Sequence, residues 1–389
     1  MQEGNYMRKI IINANVVLEN GIIFDGYIKI ESGKIIETGK MSALKKFEGV
    51  EIIDAQGLYA GPGFVDIHIH GFDGKSTYTD CEEVAKSLLV HGTTSFLATP
   101  SYSQNFEETM EAIKFTKEAI KKDSAIKGIN FEGPYINVKY GAFAHKNPWK
   151  GPILREEFEK MVDEAGDAAK IWSIAPEREG ILDFAKYARK VNPDVVFSVG
   201  HSEATPMQIR AMGKYAPKLQ THSMCATGQS TTWAGTRGMG PDEYCFKEND
   251  VFCELISDSL GAHVSSEMQQ LLLHNKGVNR IVLISDSTVF DEKYSAPEGL
   301  EDAVDLNFDD KSQLAGSRLT MNMACKNIMA HTSCGIAQAF VMASLNPAKV
   351  IGLDSEIGSI FPGKIADLVF VDDRFNVKHV MLSGEKCKF

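Results

Sequence analysis

The chain has 389 residues, 43% of them hydrophobic and 24% charged. That excludes disorder, collagen and coiled coil as its main class and supplies enough apolar material for a large core. A formal net charge of −11 argues against a general nucleic-acid or anionic-membrane binder, so neither is expected as a partner.

Residues 1–60 read as short strands with turns: Lys9–Ala14, Gly26–Glu31, Lys34–Glu37 and Glu51–Asp54. From 61 to 355 the rhythm changes, and apolar strand-like runs alternate with helix-like stretches. The runs are Gly63–Gly71, Thr93–Pro100, Ile126–Pro134, Lys170–Glu177, Asp194–Ser202, Lys218–Cys225, Phe252–Asp258 and Arg280–Ser287. Helical spacing of apolar residues covers Cys81–His91, Phe106–Lys122 and Ser266–Lys276. Residues 356–389 return to strands at Ala366–Asp372 and Asn376–Leu382. Neither end alone holds enough strands for a stable sheet, so the two ends are expected to pair in one small β domain. Eight strand–helix units predict an α/β protein whose parallel strands close into a TIM (β/α)8 barrel, with a doubly wound open sheet as the alternative. Seven cysteines without a CxxC pair read as reduced thiols in a cytoplasmic protein. The first residues lack an apolar signal core, and no uncharged run is long enough to cross a bilayer.

Residues with metal-binding chemistry fall at one end of these runs. His68 and His70 close the first, Glu132 the third, His201 the fifth, His222 the sixth and Asp286 the eighth. In a barrel, all C-terminal strand ends open onto one face, so side chains distant in sequence converge. His68 and His70 stand two apart on a strand and project to one side. Imidazole with carboxylate suits a divalent transition metal, zinc or iron, better than calcium or magnesium. Singly, each residue has a plainer explanation: an HxH pair can be surface histidines, Glu132 an ion-paired strand end, His201 or His222 a satisfied core histidine, and Asp286 a helix cap. Those explanations would have to hold at five strand ends together, which favours a metal. A metal there lowers the pKa of a bound water to about 7 and polarises a carbonyl oxygen. Asp286 would take the proton as general base and return it to the leaving amine as general acid, giving metal-assisted amide hydrolysis.

The residues that carry this chemistry resemble the amidohydrolase superfamily, and within it the N-acetylglucosamine-6-phosphate deacetylases. The resemblance covers almost the whole chain. It rests on Gly61-Pro-Gly-Phe-Val-Asp-Ile-His-Ile-His-Gly71, Phe131-Glu-Gly-Pro134, Gly200-His-Ser-Glu-Ala-Thr205, Thr221-His222, Leu314-Ala-Gly-Ser-Arg-Leu-Thr-Met321, Asn346-Pro-Ala-Lys349 and Gly363-Lys-Ile-Ala-Asp-Leu368. HxH is shared across the superfamily, whereas Glu-Gly-Pro, Gly-His-Ser-x-Ala-Thr and Leu-Ala-Gly-Ser together are more specific to the deacetylases. The resemblance implies a TIM barrel at 61–355 and a small β-sandwich built from 1–60 and 356–389. It implies Glu132, His201 and His222 as principal metal ligands and Asp286 as the catalytic acid and base. It also implies His68 and His70 as ligands of a second metal, hence one or two ions per subunit.

For substrate, the resemblance implies Ala144 and His145, His263 after the seventh strand, Cys225 and Ala226 after the sixth, and Leu314, Ala315 and Gly316. Arg237 is a candidate phosphate ligand, because a guanidinium binds phosphate bidentately; a surface arginine is the plainer alternative. Relatives often supply that arginine across an interface, which implies a homodimer. One departure concerns the usual Leu-Phe-Asn-Ala-Met after the sixth-strand histidine, which here is Ser223-Met-Cys-Ala-Thr227. Cys225 therefore replaces an asparagine that helps hold phosphate, and a thiol is the weaker donor. The expected substrate is an amino-sugar 6-phosphate, N-acetylglucosamine-6-phosphate first, with the galactosamine analogue or another N-acyl compound as alternatives. Cyclic-amide hydrolases share the barrel but usually bridge two metals with a carboxylated lysine ending the fourth strand. Here that strand ends Ile174-Ala-Pro-Glu177. A non-catalytic scaffold or ligand-binding barrel would be expected to have lost part of the set, and none of Glu132, His201, His222 or Asp286 is missing.

Overall fold

The computed structural model describes residues 8–45, 49–229, 233–289, 296–300 and 303–388. Eight parallel strands, in sequence order, form one sheet: Phe64–Ile69, Thr93–Ala98, Ile126–Phe131, Ala169–Ile174, Val196–Val199, Leu219–Gln220, Phe252–Ile256 and Ile281–Ile284. The sheet closes where the last strand meets the first. Asp286 N–H donates to His68 O at 2.9 Å, and His70 N–H donates to Ser287 O at 2.8 Å. The TIM barrel expected from the alternation is thus the fold, and the open sheet is not.

The first strand reads as a continuous buried run because helices cover the barrel's outer face while side chains fill the inside. Alternation along it decides the site. Ile69 faces outward into a cluster with Cys81, Val84 and Phe96, which turns His68 and His70 inward. Phe131 likewise stacks on Trp172 with ring centroids 3.7 Å apart, and the next residue, Glu132, enters the barrel mouth.

Helix Phe106–Lys122 shows how the outer layer is specified. Asn105 and Glu108 form a reciprocal capping box, acids occupy the first turn, and Lys121 and Lys122 the last. Its buried positions Thr109, Ala112, Ile113, Thr116 and Ala119 follow three- and four-residue spacing. Helix Ser266–Lys276 also matches its sequence reading, while the first helix stops at Leu89.

The two chain ends meet in a second eight-stranded sheet. Tyr59–Pro62 lies at its centre, parallel to Arg8–Leu18 on one side and antiparallel to Leu368–Val371 on the other. Gly21–Glu31 and Lys34–Lys40 extend one edge, and Val377–Leu382 and Glu385–Lys386 the other, while Glu51–Asp54 also pairs with Arg8–Leu18. Among the described residues, no helix is long and apolar enough to cross a membrane.

Candidate active site

Three site residues share a backbone feature. His201, His222 and Asp286 follow the fifth, sixth and eighth strands with φ of 45°, 25° and 48°. Left-handed non-glycine residues are uncommon and cluster at functional sites. Each turns its strand end so that the side chain points into the mouth.

The side chains converge tightly. Glu132 Oε1 lies 2.7 Å from His201 Nε2 and 3.0 Å from His222 Nε2, and those two nitrogens lie 3.0 Å apart. His70 Nε2 is 3.3 Å from Glu132 Oε2 and 3.4 Å from Asp286 Oδ1. His68 Nε2 is 3.6 Å from Asp286 Oδ1 and 3.8 Å from Glu132 Oε1, too far for a hydrogen bond to either. It is buried and has no partner among the described residues. Donor atoms around one tetrahedral zinc stand about 3.3 Å apart, so this set fits a metal. His68, Glu132 and His222 form one group able to hold an ion, and His68, His70 and Asp286 another.

The electrostatics say the same. Burial pushes His70 down, but its hydrogen bonds to Asp286 and Glu132 raise it well above the usual imidazole range. Burial likewise lowers His222, and its bond to Glu132 raises it to about 9. Burial raises Glu132 and Asp286, yet His201 beside the first and His70 beside the second hold both below the carboxylate range. Without a metal, His70 and His222 favour their protonated forms, which balance the carboxylates.

A cavity of about 610 Å³ opens over this cluster. Cys225, Ala226, His263, Leu314, Ala315 and Gly316 line it, as do His70, Glu132, His201, His222 and Asp286. His263 is oriented by Asp258, whose Oδ2 accepts its Nδ1–H at 3.1 Å, and its buried Nε2 has no partner among the described residues. The Cys225 thiol is pushed up to well above its usual range by burial, so it is neutral, and its Sγ lies 3.5 Å from His263 O.

Ala144, His145 and Arg237 do not line this cavity. His145 faces outward, 3.5 Å from Asp310. The loop instead roofs the site with Lys139–Phe143, because Gly141, at φ +102°, packs flush against Tyr102 and His201. Arg237 is 71% exposed and pairs with Glu243 on its own chain. The sequence reading also passed over Tyr102, Tyr140, Asn307 and Gln313, which line the cavity. Nothing in their spacing marks them, since the loops and the pairing of Leu306–Phe308 with Leu314–Ser317 bring them there. Glu254 was equally missed. An acid inside the apolar run Phe-Cys-Glu-Leu-Ile was its signal.

Ionisable side chains gathered at the C-terminal mouth of a barrel define the class as a barrel hydrolase. The chain belongs to the Amidohydrolase family, whose profile matches residues 59–387. That family is generally metal-dependent, and the buried His/Glu/Asp group here is able to bind metal. An N-acetylglucosamine-6-phosphate deacetylase of Bacillus subtilis is 29% identical, aligning over 92% of this chain and 91% of that one. The crystal structure of the enzyme of that name from Thermotoga maritima is 30% identical, with a TM-score of 0.80 over 97% of this chain and 99% of the other. A Mycobacterium smegmatis variant of the same name, solved in complex with N-acetyl-D-glucosamine-6-phosphate, is 25% identical, with a TM-score of 0.83 over 98% and 99%.

Proposed function

We propose that this chain removes the N-acetyl group of an amino-sugar 6-phosphate, N-acetylglucosamine-6-phosphate first, giving the amino-sugar phosphate and acetate. The observation that carries this reading is the convergence of Glu132, His201 and His222, whose inward atoms stand 2.7–3.0 Å apart, with Asp286 3.4 Å from the adjoining His70. The resemblance to deacetylases over nearly the whole chain supports the substrate class.

Glu132, His201 and His222 would hold the metal, and His68 and His70 a second one, zinc or iron in either position. When bound, such an ion acidifies water and polarises the amide oxygen. The chain's own groups do the rest. Asp286, held ionised beside His70, takes a proton from the attacking water. It then delivers that proton to the amide nitrogen as the C–N bond breaks, so one water is consumed and acetate leaves. His263, fixed by Asp258, presents Nε2 to a sugar hydroxyl or phosphate oxygen, and Gly316 lets the Leu314–Ser317 strand close beside Asp286. Cys225 and Ala226 form the wall where the distal group of the substrate would sit. A cytoplasmic homodimer, in which Arg237 reaches the neighbouring subunit's cavity, completes the reading.

The test is an acetate-release screen of the zinc- or iron-loaded protein against N-acetylated amino sugars with and without a 6-phosphate. Release from the phosphorylated sugars is expected. No release from any of them rejects the reading, and preference for the galactosamine series would move the substrate to that epimer.

A further inference from the structure

Each histidine in the cluster turns one ring nitrogen to the centre and leaves the other for support, and the supports differ. His70 Nδ1 meets the Thr99 carbonyl oxygen at 2.9 Å, and His222 Nδ1 meets the Cys225 carbonyl oxygen at 3.3 Å. His201 Nδ1 is buried with no partner among the described residues. His68 Nδ1 meets a carboxylate instead, Glu254 Oε2 at 3.0 Å.

Glu254 sits in the seventh strand, Phe252–Ile256, and is 0% exposed. The same Oε2 also accepts the backbone N–H of His222 at 3.0 Å. One oxygen therefore fixes the ring of the first strand and the main chain after the sixth. Its other oxygen, Oε1, is buried without a hydrogen-bond partner among the described residues. Among the described residues, no lysine or arginine forms an ion pair with it, and its one ion-pair partner is the His68 ring. A buried carboxylate needs a countercharge. The route to one runs through the His68 ring to Nε2, the atom that belongs to both candidate metal groups.

We infer that Glu254 is a positioning residue for the metal. It holds His68 as the Nδ1–H tautomer, aims the Nε2 lone pair into the cluster where both candidate groups draw on His68, and tightens the ion that His68 would hold. The inference rests on the metal reading above and adds a residue to it. Carboxylate support of this kind raises the basicity of a ligating imidazole, and its loss typically weakens metal affinity 10- to 100-fold.

The test measures metal rather than turnover. Wild type, Glu254→Gln and Glu254→Ala are stripped and titrated with Zn²⁺ against a competing chelator, with zinc per subunit counted after dialysis. Glutamine keeps an oxygen for both bonds, removes the charge and sets an uncharged amide NH2 where Oε1 stood. We expect Glu254→Gln to bind zinc about 10- to 100-fold more weakly, and Glu254→Ala more weakly still. The melting temperature of metal-free Glu254→Gln should stay near that of metal-free wild type. A purely structural role would instead lower that temperature and leave the affinity unchanged. Nitrogen-15 NMR of histidines in metal-free wild type gives a second measurement that needs no variant to fold. His68 should carry its proton on Nδ1. Zinc affinity unchanged in both variants, or a His68 proton found on Nε2 alone, overturns the inference. A wild-type protein that takes up neither zinc nor iron would reject the metal reading itself, and this inference with it.

Discussion

The Nε2 atoms of His201 and His222 face each other at 3.0 Å, and both also lean on Glu132 Oε1. Two neutral imidazoles cannot satisfy that arrangement unless one of them donates, so a stripped site must hold protons where a loaded one holds an ion. His222, raised to about 9, is protonated at neutral pH in the stripped state. Metal uptake at pH 7 should therefore release at least about one proton, and affinity should climb as pH rises toward about 9. Calorimetry in buffers of different ionisation enthalpy reads the proton count. Uptake without proton release would contradict this account. Chelation should abolish acetate release, and added zinc or iron should restore it.

Asp286→Asn keeps the size of the side chain and removes its capacity to carry a proton. The ion held by Glu132, His201 and His222 should be retained, because those three remain, while turnover should fall roughly 10²- to 10⁴-fold. Near-normal turnover in a metal-loaded variant would remove Asp286 from the proton path.

Asp258 predicts a pH effect away from the metal. Burial pushes its carboxyl up, but the His263 ring and the N–H groups of Ala262 and His263 outweigh that and hold it at about 2. Because the folded value lies below the unfolded one, the stabilisation is present above about pH 4 and is lost as pH falls through about 2. Asp258→Asn should cost about 2 kcal/mol at neutral pH, and the gap to wild type should shrink through that acid window. Urea unfolding at stepped pH measures the gap. A difference that stayed constant down to pH 2 would assign the loss to packing instead.

Gly141 carries the roof of the site. A Cβ there would stand 2.6 Å from the Tyr102 hydroxyl and 2.7 Å from His201 Nδ1, on a backbone at φ +102°. Gly141→Ala should therefore destabilise by about 1–3 kcal/mol and also displace His201, raising KM and weakening metal binding. Gly74, at φ +73° with nothing within 4 Å of the added carbon, is the matched control. Gly74→Ala should show the backbone cost without the functional loss. Equal behaviour of the two variants would refute the steric argument.

Much of this was legible in the chain alone. The barrel could be read because buried parallel strands leave continuous apolar runs, and the metal cluster because polar residues break those runs at one end only, from Asp-Ile-His-Ile-His to Ile-Ser-Asp-Ser. Lengths were less legible. The run Lys218–Cys225 yields a strand of only Leu219–Gln220, because His222 takes up a left-handed turn at once. The loops were least legible. His145 resembled a substrate contact by spacing, but its neighbours carry it toward Asp310, and Gly141 and Tyr102 cover the site instead. Glu254 and Asp258 hide in strand-like sequence, since a carboxylate's task depends on which ring the fold brings to it.

The strand Tyr59–Pro62 bonds on one side to Arg8–Leu18, made before the barrel, and on the other to Leu368–Val371, made after it. During translation its second edge stays bare until Leu368–Val371 leaves the ribosome, after every strand of the barrel has been delivered. The sheet thus acts as a clasp that fastens after the barrel, and removing Leu368–Val371 and Val377–Leu382 would leave a sticky, unfinished border beside a barrel that is otherwise complete.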